Sequence, residues 1–217
     1  MKNIAILGTG MVGDAIGTKL VSLGYNVKMG SRTADNEKAT AWSNSNGALA
    51  SHGTFADAAA SGEIIFNCTS GQVSLEVLQL AGRENLQGKI LVDVANPLDF
   101  SKGMPPSLSV CNTDSLGEVI QRQFSETKVV KALNTLACTL MINPGLLAEQ
   151  GNLFICGNDA GAKSEVSSLL QSFGWKDKNI IDLGDISSAR GTEQLLPIWV
   201  RLMGTLGTPM FNFSIVK

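Results

Sequence analysis

The sequence contains little charge, a single histidine and four scattered cysteines. Its 17 lysines and arginines are offset by 19 acidic residues, so no strongly basic surface exists to attract nucleic acid or anionic lipid. The cysteines form no C-x-x-C pair, and His52 alone cannot supply a cluster of ligands. This spacing argues against a zinc site or a disulfide framework, and we expect no bound metal and no nucleic-acid partner.

Long apolar runs are also missing. A membrane-spanning helix needs about 18 continuous apolar residues, and no stretch of the chain approaches that length. The apolar run that ends at Leu7 is interrupted by Gly8, Gly10 and Asp14 before a signal-peptide cleavage site could follow. We therefore expect a cytoplasmic protein without a membrane partner.

Composition and length favour one folded domain. The chain has 217 residues, of which 44% are hydrophobic and 17% charged, and these values are typical of a globular protein rather than a disordered chain. No linker rich in serine, glycine or proline and no internal repeat divides the sequence. The sequence predicts a single domain over residues 1–217.

Short apolar runs, each followed by helical periodicity, indicate an α/β fold with a doubly wound, mostly parallel sheet. Apolar residues are nearly continuous within the runs, as expected when helices cover both faces of the sheet. Gly24 stands where the first helix needs a left-handed residue to end. The predicted strands are residues 3–7, 26–29, 63–67, 89–94, 128–133 and 152–156.

The last third of the chain predicts two further helices. One presents an apolar face over residues 162–173 after a cap at Asn158. The other follows Ser187, within a short helical extension over about residues 185–217, and Pro197 predicts a kink or a restart in it. An apolar stripe on this helix either closes the core or forms a subunit interface. The stripe comprises Leu195, Ile198, Trp199, Leu202, Met203 and Leu206.

A glycine-rich loop of the pattern G-x-G-x-x-G joins the first predicted strand to the first predicted helix. In such loops the first glycine permits the tight turn, the second lets a pyrophosphate approach the backbone, and the third lets helix and strand pack closely. The N–H groups and the dipole at the helix start then favour an anion. The sequence therefore predicts a dinucleotide site. The loop comprises Gly8, Thr9, Gly10, Met11, Val12 and Gly13.

The end of the second strand lacks the acid that an NAD site requires. NAD-binding chains normally place an aspartate or glutamate there, about 20 residues after the loop, to accept from the ribose 2′-hydroxyl. This chain has no acid between Asp14 and Asp35 and has Ser31 and Arg32 at that point. A hydroxyl donor and a guanidinium bind a 2′-phosphate, which a carboxylate would repel. The sequence predicts NADP(H) in preference to NAD(H).

The glycine loop, Ser31 and Arg32 belong to longer segments in which the sequence resembles the NADP oxidoreductases that use coenzyme F420. It is also similar to the NADPH-oxidoreductase domain of the STEAP metalloreductases. The segments GSR, VVKALNT and CGND make the resemblance more specific than the glycine loop alone. The matching segments are ILGTGMVGDAIG, NVKMGSR, GKILVDVANPL, VVKALNTL and LFICGNDAGAKSEV, with LLPIWVRL at the position of the families' closing helix.

The resemblance implies a Rossmann-like fold without a large added helical domain. It also implies that NADP(H) contacts the glycine loop, the end of the second strand and the loops that end later strands. The predicted sheet leads to the same expectation, because ligands of such sheets bind outside the carboxyl ends of the strands. The implied contacts are Thr9, Gly10, Met11, Val12, Ser31, Arg32, Cys68, Thr69, Ser70, Ala95, Asn96, Pro97 and Asn134.

The resemblance also implies a second hydride carrier, coenzyme F420, with a flavin, a quinone or a small carbonyl compound as alternatives. Met11 and Val12 depart from the polar pair often present in the F420 enzymes. Hydride transfer between stacked rings depends on positioning more than on an acid or base, so we assign no catalytic side chain. Related reductases suggest a homodimer. The alternative function is a non-catalytic module that binds NADPH and senses redox state or docks on a partner.

Five polar or ionisable residues permit more than one role. Cys68 either packs as a small thiol or touches the nicotinamide, and we favour packing. Asn96 and Asn134 either orient the carboxamide or a second cofactor, or bond to local turns. Lys131 lies within a predicted strand, where we expect it to pair or to extend towards solvent rather than act as a base. We expect His52 to lie at the surface.

Overall fold

A computed structural model of the chain describes residues 2–216, which form an α/β structure around one large sheet. The strands are β1 (Asn3–Leu7), β2 (Asn26–Ser31), β3 (Ala50–Thr54), β4 (Ile64–Asn67), β5 (Ile90–Asp93), β6 (Leu98–Asp99), β7 (Ser107–Leu108), β8 (Lys128–Ala132), β9 (Leu153–Gly157) and β10 (Ile180–Asp182). Eight of them form the sheet in the order β10-β9-β8-β5-β4-β1-β2-β3, and β6 pairs with β7 separately. Neighbours are parallel except β8 and β9. The predicted fold class is confirmed.

Helices cover both faces of the sheet. The alternation of β1 shows this, because Ile4 and Ile6 belong to one apolar cluster while Ala5 and Leu7 belong to another on the opposite face. The helices are α1 (Met11–Ser22), α2 (Glu37–Asn46), α3 (Phe55–Ser61), α4 (Ser74–Ala81), α5 (Arg83–Leu86), α6 (Leu116–Gln123), α7 (Cys138–Ile142), α8 (Ala160–Ser172), α9 (Ala189–Gln194) and α10 (Leu196–Leu206).

The six predicted strands all exist, with their ends displaced by two residues or fewer. Sequence reasoning missed β3 and β10. The segment of β3 reads A-S-H-G-T and lies at an edge of the sheet, so it carries no apolar run to signal a strand. The other missed strand has only three residues and forms the opposite edge. Gly24 has φ +89°, which confirms the predicted left-handed residue after the first helix.

The predicted cap at Asn158 is wrong by one residue. Asp159 caps α8, and its Oδ1 accepts from the backbone N–H of Ala162 at 2.7 Å. Asn158 instead accepts from the backbone N–H of Ile186 at 3.1 Å. Both side chains are good caps, and the long-range contact of Asn158 with the segment before α9 decides between them.

The C-terminal segment restarts a helix at Pro197, as predicted. Helix α9 ends at Gln194, and α10 begins at Leu196 with the proline in its first turn. The helical extension stops at Leu206, and the backbone of the following residues instead bonds to Asn152. The prediction of a helical segment to the C-terminus was therefore too long. Across residues 2–216, no helix combines the length and the apolarity needed to cross a membrane.

The apolar stripe of α10 does not close the core. Ile198 is 50% exposed and Leu206 is 54% exposed, whereas Leu196, outside the predicted stripe, is buried. Trp199 stacks on Phe211 of the following segment, with ring centroids 5.4 Å apart. Packing against the rest of the chain therefore explains only part of the apolar surface of this helix.

Candidate functional site

The glycine loop turns sharply from β1 into α1. Gly8 has φ +117°, and a Cβ there would lie 2.9 Å from the carbonyl oxygen of Cys68. A Cβ on Gly13 would lie 2.2 Å from the carbonyl oxygen of Gly8. A Cβ on Gly10 would meet no atom of the described residues within 4 Å. The protein itself thus requires the first and third glycines, and the second leaves space that a ligand can use.

The start of α1 is suited to an anion. Gly10 is the residue before the helix, and within the described chain it provides no side-chain cap. The first N–H groups of a helix have no intrahelical acceptor, and the helix dipole adds partial positive charge there. These donors lie next to the space beside Gly10. A pyrophosphate fits this arrangement, since it supplies acceptors and negative charge.

The loops that follow β1, β2, β4, β5 and β8 form a continuous row along the carboxyl ends of the strands. The Gly8 N–H donates to the carbonyl of Gly30 at 3.1 Å, which joins the first loop to the end of β2. A Cβ on Gly71 would lie 2.2 Å from the Asn96 carbonyl, so the next two loops touch. Asn96 donates to the Asn134 carbonyl at 2.8 Å, and Asn134 donates to Asn96 Oδ1 at 2.9 Å. The structure therefore brings all the predicted site loops together.

The strand order places a topological switch point at this row. β1 lies between β2 and β4, so the connection after β1 goes to one side of the sheet and later connections go to the other. Open α/β sheets bind ligands in the crevice at such a point, outside the carboxyl ends of the strands. The end of β2 then lies on one side of the crevice, and the ends of β4, β5 and β8 lie on the other.

Arg32 is exposed beyond the end of β2, and a carboxylate stands near it. Its Nη2 lies 3.8 Å from Oε1 of Glu76 on α4, with 69% and 58% of the two side chains exposed. The sequence showed no acid between Asp14 and Asp35, so the approach of Glu76 to Arg32 in the folded chain is a correction. An ion pair this exposed contributes at most about 1 kcal/mol. Arg32 can therefore exchange Glu76 for a stronger anion.

Ser31 is buried, and its hydroxyl donates to the carbonyl of Thr33. A cavity of about 520 Å³ lies beside the glycine loop, and Thr9 and Lys38 line it. Sequence reasoning missed Lys38. Its position in the first turn of α2, just after the end of β2, was the available signal. It adds a second cation on the side of the site that carries Arg32.

The loop after β4 is held from beneath by Asn67. This side chain is fully buried, and its Oδ1 accepts from the Thr69 hydroxyl at 2.6 Å. Its amide donates to Asp93 at 2.8 Å and to the Ser74 hydroxyl at 3.0 Å. Ser74 donates in turn to the carbonyl of Ser70 at 3.1 Å. Sequence reasoning missed Asn67, which fixes two of the predicted contact residues.

Cys68 has the character of a packing residue. Burial raises the pKa of its thiol, and the charge of Asp93 raises that pKa further. The thiol therefore stays protonated and unreactive at neutral pH. It also packs against the apolar cluster that contains Ile4 and Ile6. These observations favour the packing role over a chemical one.

The structure corrects the expectation for His52 and confirms the pairing of Lys131. His52 lies within β3 and is partly buried, with its ring nitrogens 3.1 Å from the Thr40 hydroxyl and 2.8 Å from the Ser43 hydroxyl. It is partly buried rather than fully exposed, because α2 packs against the edge strand. Lys131 is fully buried and lies 2.8 Å from both Asp93 and Glu193.

Comparison with known proteins agrees with this geometry. The family described as NADP oxidoreductase, coenzyme F420-dependent, matches residues 3–97, from β1 to the loop after β5. The crystal structure of a proposed F420-dependent NADP-reductase from Arthrobacter sp. FB24 is 50% identical, and the match covers 100% of both chains with a TM-score of 0.95. The chain belongs to this family. As a member of this family, the protein is an NADP-dependent oxidoreductase, as the sequence predicted.

The chain is also similar to parts of longer proteins. Metalloreductase STEAP3 of Rattus norvegicus is 32% identical over 203 residues. That match covers 90% of this chain and 37% of the metalloreductase, so the chain spans much less than half of this relative. An imine reductase from Streptomyces aurantiacus is 19% identical, with a TM-score of 0.66 over 95% of this chain and 64% of that one. This last likeness concerns the fold alone.

Proposed function

We propose that this NADP oxidoreductase binds NADP(H) along the row of loops and exchanges hydride with a second small redox carrier, F420 or a flavin. The observation that carries the proposal is the glycine loop, where the protein needs Gly8 and Gly13 for its own packing but leaves open space at Gly10. A backbone site that approaches a pyrophosphate needs this space. We further propose that the chain acts as a single domain.

The proposed contacts divide between the two sides of the switch point. The backbone of Met11 and Val12 would hold the pyrophosphate, and Arg32 with Lys38 would hold the 2′-phosphate. Ser31 is buried, and its hydroxyl, which donates to the Thr33 carbonyl, would hold the backbone on either side of Arg32 in place. The nicotinamide half would then lie along the remaining loops. These contribute Cys68, Thr69, Ser70, Ala95, Asn96, Pro97 and Asn134.

The protein's own contribution to the reaction would be positioning. Bound NADPH supplies the hydride, and the second carrier accepts it. The residues at the proposed nicotinamide end are engaged with one another, since Asn96 and Asn134 bond reciprocally and Thr69 bonds to Asn67. Loops that are held in place by these bonds would fix the distance and the orientation between the nicotinamide and the ring of the second carrier, which is what hydride transfer between rings requires. The proton that the reduced carrier takes up beside the hydride can come from solvent, so we assign no side chain of the site to proton transfer.

Substitution of the second glycine separates binding from folding. We expect Gly10→Ala to leave the melting temperature within a few degrees of the parent, because the added Cβ meets no protein atom of the described residues within 4 Å. The same Cβ would occupy the space of the pyrophosphate and weaken NADPH binding by about tenfold or more, equivalent to about 1.4 kcal/mol. Thermal unfolding and titration calorimetry measure the two effects.

Gly13→Ala is the matched control, because it adds the same methyl group where the protein has no room. A Cβ 2.2 Å from the Gly8 carbonyl should destabilise the fold by about 1–3 kcal/mol. A Gly10→Ala protein that bound NADPH as tightly as the parent would remove the main support for the proposed site.

The second carrier is tested by offering candidates in turn. Purified protein is mixed with NADPH and with F420, FMN, FAD or a quinone, and NADPH oxidation is followed by absorbance. We expect turnover with F420 or a flavin. Turnover with a quinone alone would replace the proposed carrier, and tight NADPH binding without turnover on any carrier would support a redox-sensing or docking module instead.

We also propose a homodimer with α10 at the interface. Ile198 and Leu206 leave about half of their surface exposed on one apolar helix. Apolar surface of this kind on a short helix is commonly covered by a partner. A second copy of the chain is the occupant that we propose.

A further inference from the structure

Three charged side chains are buried together beneath the site. Lys131 Nζ lies 2.8 Å from Asp93 Oδ2 and 2.8 Å from Glu193 Oε1, and all three side chains are at most 1% exposed. Asp93 ends β5, Lys131 lies in β8 and Glu193 lies in α9. The cluster therefore joins two central strands to the C-terminal segment.

One end of the cluster reaches the proposed nicotinamide side. Lys131 also donates to the carbonyl of Ala95, and the Ala95 N–H donates to Asp93 Oδ1 at 3.3 Å. The same Oδ1 accepts from Asn67 at 2.8 Å, and Asn67 accepts from the Thr69 hydroxyl. One ammonium and one carboxylate thus fix residues of two loops in the row.

The other end of the cluster contacts the start of α6. Glu193 Oε2 accepts from the Leu116 N–H at 2.8 Å, and its Oε1 accepts from the Gly117 N–H at 3.1 Å. These donors belong to the first turn of α6. Glu193 therefore neutralises the same ammonium as Asp93 does, but its remaining contacts hold a helix rather than a site loop.

Stability alone does not account for this arrangement. Burying charges has a large desolvation cost, and apolar residues of similar volume are often as stabilising as a buried ion pair. Apolar residues could not form hydrogen bonds to the carbonyl and the N–H of Ala95. They also could not bond to Asn67, which accepts from the Thr69 hydroxyl. Here the ionic cluster makes all of these bonds.

We propose that Asp93 and Lys131 are positioning residues, which set the Thr69 and Ala95 loops for the nicotinamide half of NADP(H). This inference rests on the proposed function. The two residues act through the loops, since both are fully buried and Asn67 lies between Asp93 and the Thr69 hydroxyl. The adenosine half lies across the switch point and should be independent of them.

The test compares Asp93→Asn with Glu193→Gln on two probes. NADP⁺ contains both halves of the cofactor, whereas adenosine 2′,5′-bisphosphate contains the 2′-phosphate but no nicotinamide. An amide cannot accept on both sides as the Asp93 carboxylate does, so Asp93→Asn must lose either Lys131 or the loop donors. We expect it to weaken NADP⁺ binding about tenfold and to leave the bisphosphate within about twofold, as loss of charged hydrogen bonds predicts.

Glu193→Gln removes an equal charge from the same ammonium and should leave both affinities within about twofold of the parent, since the other contacts of Glu193 hold α6 and no site loop. Any of three results would overturn the assignment. Asp93→Asn could weaken the binding of both probes equally, it could weaken the binding of neither, or Glu193→Gln could show the same selective loss of NADP⁺ binding. If Asp93→Asn does not fold, Lys131→Met combined with Asp93→Asn and Glu193→Gln leaves no unpaired buried charge and should show the same selective loss. A parent that binds neither probe would instead disprove the proposed function.

Discussion

Arg32→Asp is expected to weaken NADPH binding by about 100-fold or more, because it removes a charged hydrogen-bond donor and places a carboxylate against the 2′-phosphate. NADH has no such phosphate, and a carboxylate at this position can accept from its 2′-hydroxyl. NADH affinity should therefore stay the same or improve. Titration calorimetry with both cofactors measures the change in preference.

Two controls separate local recognition from net charge. Glu76→Gln removes the carboxylate 3.8 Å from Arg32 and should tighten NADPH binding slightly, by up to about fivefold for an exposed pair. Lys178→Asp makes the same charge change as Arg32→Asp at an exposed position just before β10 and should leave both affinities unchanged. If the parent bound NADH as tightly as NADPH, the assignment of Arg32 would be wrong.

Lys131→Met is expected to reduce the free energy of unfolding by about 3–5 kcal/mol, because Asp93 and Glu193 would remain buried without a counter-ion. A loss of this size is a large fraction of the stability of an ordinary domain. Urea unfolding followed by circular dichroism measures it. Lys128→Met is the control on the same strand. Its ammonium is about half exposed and lies 3.2 Å from Asp159, so we expect a loss of at most about 1 kcal/mol.

The pH dependence of this effect has a definite sign. Desolvation lowers the pKa of Lys131, but the charges of Asp93 and Glu193 more than offset it and hold the pKa above its usual value of 10.5. A raised pKa in the folded state means that the stabilisation is fully present below the unfolded pKa and is lost as pH rises through the folded one. The part of the stability difference that comes from the titration of Lys131 should therefore be constant from about pH 7 to pH 9. A difference below about 1 kcal/mol in that range would show that Asp93 and Glu193 do not depend on Lys131 as their buried counter-ion.

Much of the fold could be predicted because its signals are local. Nearly continuous apolar runs marked the central strands, since a parallel strand buried on both faces has no polar side. The edge strand β3 escaped detection for the converse reason, as an edge segment with His52 at its centre needs no apolar run. The glycine loop was also readable, because turn geometry at Gly8 and close packing at Gly13 act within a few residues.

The sequence by itself determined the class of the fold, the position of the glycine loop and the absence of an acid between Asp14 and Asp35. Only the tertiary structure decided that Glu76 stands next to Arg32, that Asn96 and Asn134 bond to each other, and that Asp93, Lys131 and Glu193 form one buried cluster. The physical reason is the distance along the chain over which each signal acts. Periodicity and turn chemistry report how each segment is buried, whereas the partner of a charged or polar side chain is set by strand order and helix packing across the whole chain.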